Sequence, residues 1–386
     1  MTYRENCTLP TEFLQGLCEQ GLDALPQAIT LLLNAAMQAE REKYLGAAPY
    51  ERTPDRRDYA NGYKEKTITS RVGPLSVAVP QVRNGDFYPS SLEKGLRSER
   101  ALKIAVAEMY VQGVSTRRVA AIVEKLCGTE ISSTTVSRAA AELDSVLESW
   151  RTRPLGCFPY VYLDARYESV RQNGKVEDAA VLIAIGVDEQ GKRQVLGVSV
   201  ALSEHEVHWR AFLASLQQRG LSGVRLIVSD DHSGLKAARR AVFGGIPWQR
   251  CQFHLQQNAQ AYVTKQEMKT VVAQDIRTIF AARDRDEADR LLTQTAEKYE
   301  KTMPKLATWM QAALPEGLTV LSFPEAHRRL LRTTNGVERV NKEIKRRTRV
   351  AGLFPNEASC LRLVSAILME ISEDWQTGKC YLTFTG

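Results

Sequence analysis

The sequence is short of the features that would tie a protein to a membrane, an oxidising compartment or a zinc centre. No apolar run reaches the roughly 18 residues of a membrane-spanning helix, and the opening stretch MTYRENCTLPTEF has no signal-peptide core. Seven cysteines are scattered without a Cys-x-x-Cys pair. An odd, unpaired set argues against a disulfide framework and fits a reducing compartment. One Cys-x-x-His pair, Cys251 and His254, stands without the second pair that a structural zinc requires. His205 and His232 are isolated, and nothing resembles the covalent nucleophile of a serine or tyrosine recombinase. Internal repeats and low-complexity tracts are lacking as well. These absences predict a soluble cytoplasmic protein with no membrane partner.

The 386 residues present suggest several structural units, and 44% hydrophobic with 25% charged residues is enough to build sizeable cores. The formal net charge of +7 favours an anionic partner such as nucleic acid.

Along the chain, residues 1–60 read as a helical region. Residues 61–98 hold a β-hairpin, KTITSRVGPLSVAVPQV, turning at Gly73-Pro74, followed by a loop rich in Asn, Gly, Pro and Ser. Residues 99–150 carry three helical stretches, with Ser115 and Ser132 as N-caps and Gly113 and Gly128 as stops. Two short helices around a Gly-containing turn suggest a helix-turn-helix. Thr134, Thr135, Ser137 and Arg138 would then lie near the start of the reading helix.

From residue 157 the pattern becomes α/β. FPYVYLDARY reads as a strand ending on Asp164, AAVLIAIGVD and RQVLGVSVAL complete an antiparallel meander, and VRLIVSD ends on Asp230. PWQRCQFH reads as a further strand and Trp209 as a core residue of the helix before Asp230. A helical region over 255–330 separates the 157–254 part from residues 331–386. There the helix NGVERVNKEIKRR places Glu338, Lys342, Lys345 and Arg349 within one arc, apart from an apolar stripe of Val337, Val340 and Ile344.

Acids at strand ends and at a helix start can converge in an open α/β sheet. Three converging carboxylates repel one another unless a divalent cation neutralises them, and hard oxygen donors suit Mg2+ or Mn2+. Two such ions perform phosphoryl transfer. Asp231 would point away from Asp230 by strand alternation, and Glu343 lies off the face of Glu338.

The stretches LDARY, VSDDHSGL, CQFH and NGVERVNKEIKRR, in that order, together with NGYKEKTITSRVGPLSVAVPQVR upstream, resemble the mutator-type insertion-sequence transposases of bacteria. The resemblance spans nearly the whole chain. It implies a ribonuclease-H-like catalytic domain with an all-helical insertion, preceded by helical DNA-binding regions. It further implies a DDE triad of Asp164, Asp230 and Glu338 binding two Mg2+ or Mn2+ ions, and a structural role near the site for Cys251 and His254. The spacing of Lys345 after Glu338 resembles that of DDE transposases, and Arg339, Lys342, Arg346, Arg347 and Arg349 would neutralise further phosphates. The expected partners are the element's terminal inverted repeats, target DNA and a second copy of the chain. A decayed DNA-binding regulator and another nuclease on the same fold are the rival readings.

Overall fold

The computed structural model describes residues 18–92, 100–127, 130–349 and 351–384. The chain folds into two compact units, Met1–Glu142 and Leu143–Gly386.

In the first unit, helix α1 (Leu25–Leu45) packs on an antiparallel hairpin of β1 (Ala60–Ser70) and β2 (Gly73–Val82). Leu75, Val77 and Val79 alternate along β2 and meet Met37 of α1, so the period of two chooses the buried face. Gly73 has φ +116°, which explains why glycine stands at the turn. A second small core, with Leu102, Val106, Val119, Val123, Val136 and Ala139, joins α2 (Arg100–Val111), α3 (Thr116–Cys127) and α4 (Ser133–Ala141). The caps fall where the sequence puts them. Ser115 Oγ accepts from the Arg118 N–H at 3.3 Å and Ser132 Oγ from the Thr135 N–H at 3.1 Å. Gly113 follows α2 with φ +87°. Gly128 lies outside the described residues, as do residues 1–17 and 93–99.

One helix expected from SSTTVSRAAAELDSVLESW is two. The first, α4, buries Val136, Ala139 and Ala140; the second, α5 (Asp144–Thr152), buries Leu147 and belongs to the second unit. The unit boundary thus runs through the stretch, because its two halves serve different cores.

The second unit is mixed α/β. Its sheet has the order β5-β4-β3-β6-β7, with β3 (Tyr160–Gln172), β4 (Lys175–Val187) and β5 (Arg193–Ala201) antiparallel. Strands β6 (Leu226–Ser229) and β7 (Trp248–Arg250) run parallel to β3. Helices α6 (Glu206–Gln218) and α7 (Ser233–Phe243) enclose a core of Leu163, Leu182, Leu196, Phe212, Leu213 and Leu235, with Trp209 fully buried at its centre. Each large apolar side chain buried there contributes about 1.5–3 kcal/mol.

After β7 come α8 (Gln252–Ala259), α9 (Met268–Phe280), α10 (Arg285–Glu300), α11 (Pro304–Ala313) and α12 (Glu325–Leu331). Most of this helical stretch has its own core, including Leu255, Val272, Ile276, Leu292, Tyr299, Leu306 and Met310. Helix α13 (Asn335–Thr348) and helix α14 (Glu357–Thr377) then return to the sheet, both reaching β3, with α14 also packed on β5.

Two expected strand ends move. Strand β3 continues eight residues beyond Asp164, to Gln172. Its apolar run stops early because β6 pairs only with Tyr160–Tyr162; beyond that point β3 keeps β4 as its one strand neighbour, and from Glu168 the β3–β4 pair runs on past β5 as a two-stranded ribbon. Strand β7 ends at Arg250, so Cys251 is the N-cap of α8 and His254 lies in its first turn.

Candidate active site

Three strands deliver side chains to one edge. Asp164 lies two residues past the last β3–β6 pair, Asp230 directly follows β6, and Cys251 directly follows β7. Glu338 sits in the first turn of α13, where the helix dipole favours a carboxylate. Val337, Val340 and Ile344 are buried as the stripe requires, leaving Glu338 half-buried beside the sheet edge.

His254 stands between the acids. Its Nδ1 is 3.8 Å from Asp230 Oδ1 and its Nε2 is 3.8 Å from Glu338 Oε1. A hydrogen bond with Cys251 is the largest influence raising the His254 pKa to about 9, against the opposing effect of burial and with help from Asp230 and Asp164. The imidazole therefore carries its proton at neutral pH. Burial alone would raise the Cys251 thiol, but hydrogen bonds from His254 and Thr334 outweigh it and hold the thiol below its usual range. Thr334, just before α13, contacts the Cys251 sulfur through its N–H and hydroxyl, each at 3.4 Å. The Cys-x-x-His pair thus links the start of α8 to the start of α13 and sets His254 against the acids.

Burial raises Asp164 to about 7; Ala165 and His254 oppose the rise, and the neighbouring Asp230 and Glu338 charges add to it. Its Oδ1 accepts from the Ala165 N–H at 2.9 Å and its Oδ2 from Asn341 Nδ2 at 2.8 Å. Asp231 is separate. It pairs with Arg250 at 2.9 Å and Lys236 at 3.3 Å, in a network completed by Glu316.

The chemistry of the donor set fits a divalent cation. Asp230 Oδ1 and Glu338 Oε1 are buried without a hydrogen-bond partner, and hard oxygens are what Mg2+ and Mn2+ take. The acids gather around His254 and are not drawn onto one point. Among the described residues no group of three or more His, Cys, Asp or Glu side chains is set closely enough to hold a metal as it stands.

The family profile described as "Transposase, Mutator family" matches residues 8–378. The chain belongs to that family. It is 60% identical to the transposase for insertion sequence element IS406 of Burkholderia multivorans, over 96% of each chain. It is 43% identical to the transposase for element ISRM5 of Rhizobium meliloti, covering 93% of this chain and 90% of that one. Against the transposase for element IS256 of Staphylococcus aureus the identity is 35% over 98% of each. The protein is therefore an insertion-sequence transposase.

In this transposase the cations of α13 divide by face. Arg339, Lys342, Lys345 and Arg349 are exposed, with no ion pair among the described residues. Arg346 is exposed but chelated by Glu343 at 2.6 and 2.8 Å. Arg347, expected to meet phosphate, is buried on the opposite side of the helix from Glu338. It bonds Glu370 of α14 at 2.6 and 2.8 Å and Glu343 at 2.7 Å. Its charge joins two helices, because the partner that buries it comes from a distant segment. Thr134, Thr135, Ser137 and Arg138 all lie exposed on α4 of the first unit, and Ser137 Oγ is engaged with the Ser133 carbonyl at 3.1 Å.

Sequence reasoning missed the residues that fasten α13 to β3. Arg166 Nη1 donates to the Asn341 carbonyl at 2.6 Å, Arg166 pairs with Glu168 at 2.8 Å, and Thr348 Oγ1 donates to Glu168 at 3.0 Å. The signal was periodic. Residues 164, 166 and 168 share a strand face, and 341 and 348 lie two turns apart on one helix face.

No helix among the described residues is long and apolar enough to cross a membrane.

Proposed function

We propose that this transposase binds the terminal inverted repeats of its element, cuts DNA strands there and joins the ends to target DNA, with Asp164, Asp230 and Glu338 as divalent-metal ligands. The observation that carries the reading is the gathering of three acids around His254, two with unpartnered buried oxygens, at the edge where β6 and β7 end. Three antiparallel strands followed by two parallel ones, with a helical segment inserted before the last acid, support a ribonuclease-H-like core.

Bound by the three carboxylates, two Mg2+ or Mn2+ ions would supply Lewis-acid activation of a water or 3′-hydroxyl and stabilise the leaving oxygen. The remaining work belongs to the chain. The His254 imidazolium offsets repulsion among the acids. Lys345 and Lys342, on the arc of Glu338, hold the phosphate backbone, and Arg339 and Arg349 extend that track. The three-helix cluster of the first unit reads end sequence as a helix-turn-helix, through Thr134, Thr135, Ser137 and Arg138 on α4. Holding donor and target strands together requires at least a dimer on DNA.

Incubating the purified protein with Mg2+ and DNA carrying the element's repeats, then mapping cut strands, tests the reading. Metal-dependent cuts at the repeat ends and joined products with added target are expected. Binding without cutting would make the protein a DNA-binding regulator, and cutting without joining would make it another nuclease.

A further inference from the structure

Asn341 lies one helical turn beyond Glu338 and reaches Asp164 across the α13–β3 contact. Its Nδ2 holds Asp164 Oδ2 at 2.8 Å while the Ala165 N–H holds Oδ1 at 2.9 Å, so each oxygen of that carboxylate has one directed donor. Asn341 is itself fixed. Its backbone carbonyl accepts from Arg166 at 2.6 Å, and Arg166 is braced by Glu168 and through it by Thr348.

The choice of an amide is informative. A lysine here would neutralise Asp164 and compete with a cation, a second acid would add repulsion, and a serine would not reach. An amide donates a hydrogen bond without changing the charge, so it orients the carboxylate and leaves it anionic and open to a cation. The Asn341 Oδ1 is buried with no hydrogen-bond partner, as are Asp230 Oδ1 and Glu338 Oε1. An unpaired buried carbonyl costs stability. A residue serving only to glue helix to sheet would do better as an apolar side chain.

We propose that Asn341 is a positioning residue, which fixes the orientation of Asp164 and thereby sets how tightly the acids hold a divalent cation. The inference rests on the reading of Asp164, Asp230 and Glu338 as metal ligands. Removing such an outer partner typically weakens metal binding by about 10–100-fold.

The test titrates the full chain with Mn2+ alone and follows free Mn2+ by electron paramagnetic resonance, for wild type, Asn341→Leu and Asn341→Ser. Metal-free melting curves are recorded beside each. The expected result is wild-type binding, with both variants weaker by about 10–100-fold and melting near the wild-type temperature. Equal Mn2+ affinity in wild type and variants would overturn the role of Asn341 alone, whatever the melting temperatures. Failure of both variants to fold would make Asn341 a structural residue and overturn it too. Absence of Mn2+ binding by the wild type would overturn this inference together with the metal-ligand reading beneath it.

Discussion

Two residues apart on α13, Lys345 is exposed on the arc of Glu338, whereas Arg347 is buried against Glu370 of α14. Substituting each should separate chemistry from stability. Under the proposed function, Lys345→Ala would remove a hold on the scissile strand near the acids. A drift of about 1 Å can cost roughly 100-fold in rate, so single-turnover cleavage of a pre-bound end should fall by about that factor. End binding should persist, with a salt dependence shallower by about one phosphate contact. Arg347→Ala should instead lower unfolding stability by about 1–3 kcal/mol, because it leaves two glutamates without their shared partner while solvent still reaches Glu370. Denaturant titration of both variants checks this; normal cleavage by Lys345→Ala would mean that the helix meets DNA on another face.

Glu343 gives the same network a pH signature. Hydrogen bonds from Arg346 and, against some burial, from Arg347 hold its carboxyl down to about 2. A carboxyl depressed in the folded state stabilises the protein above its ordinary unfolded pKa, and that contribution disappears as pH falls through the folded value. Stability attributable to Glu343 should therefore fade between the normal glutamate range and about pH 2. In denaturant titrations across that window, Glu343→Gln should start less stable than wild type and lose less on acidification. Parallel pH profiles would contradict the account.

At the scale of elements, what was legible in the sequence is what local periodicity controls. Alternation gave the β3–β4–β5 meander and the hairpin, and serine caps located the starts of α3 and α4. The apolar stripe of α13 was legible too, and so was Glu338 on its accessible side. Facts set by distant partners were not legible. The apolar end of β3 looked like the end of the strand because nothing local says where β6 stops pairing. Arg347 looked like its cationic neighbours because Glu370 lies on another helix. The break between α4 and α5 depends on which of two cores each half enters. Helix α4 carries its own prediction. If it reads end DNA, Arg138→Ala in the full chain should narrow the preference for element ends over random DNA by about 1–3 kcal/mol, roughly 5–150-fold, in competition binding. Unchanged preference would assign specificity elsewhere.

For the whole molecule, the proposed function assigns the holding of DNA ends to one compact unit and their cutting to the other, and the family match over residues 8–378 covers both. The three acids and His254 all belong to the second unit, on elements fastened together by Cys251–Thr334 and by Arg166, Asn341, Glu168 and Thr348. The claim that these acids act as one metal-dependent centre is tested most directly by isosteric amides, which keep shape and remove charge. Single-turnover cleavage of a pre-bound element end in Mg2+ should be lost in each of Asp164→Asn, Asp230→Asn and Glu338→Gln, while end binding stays at the wild-type level. Wild-type cleavage by any one of the three would remove that residue from the centre and contradict the account.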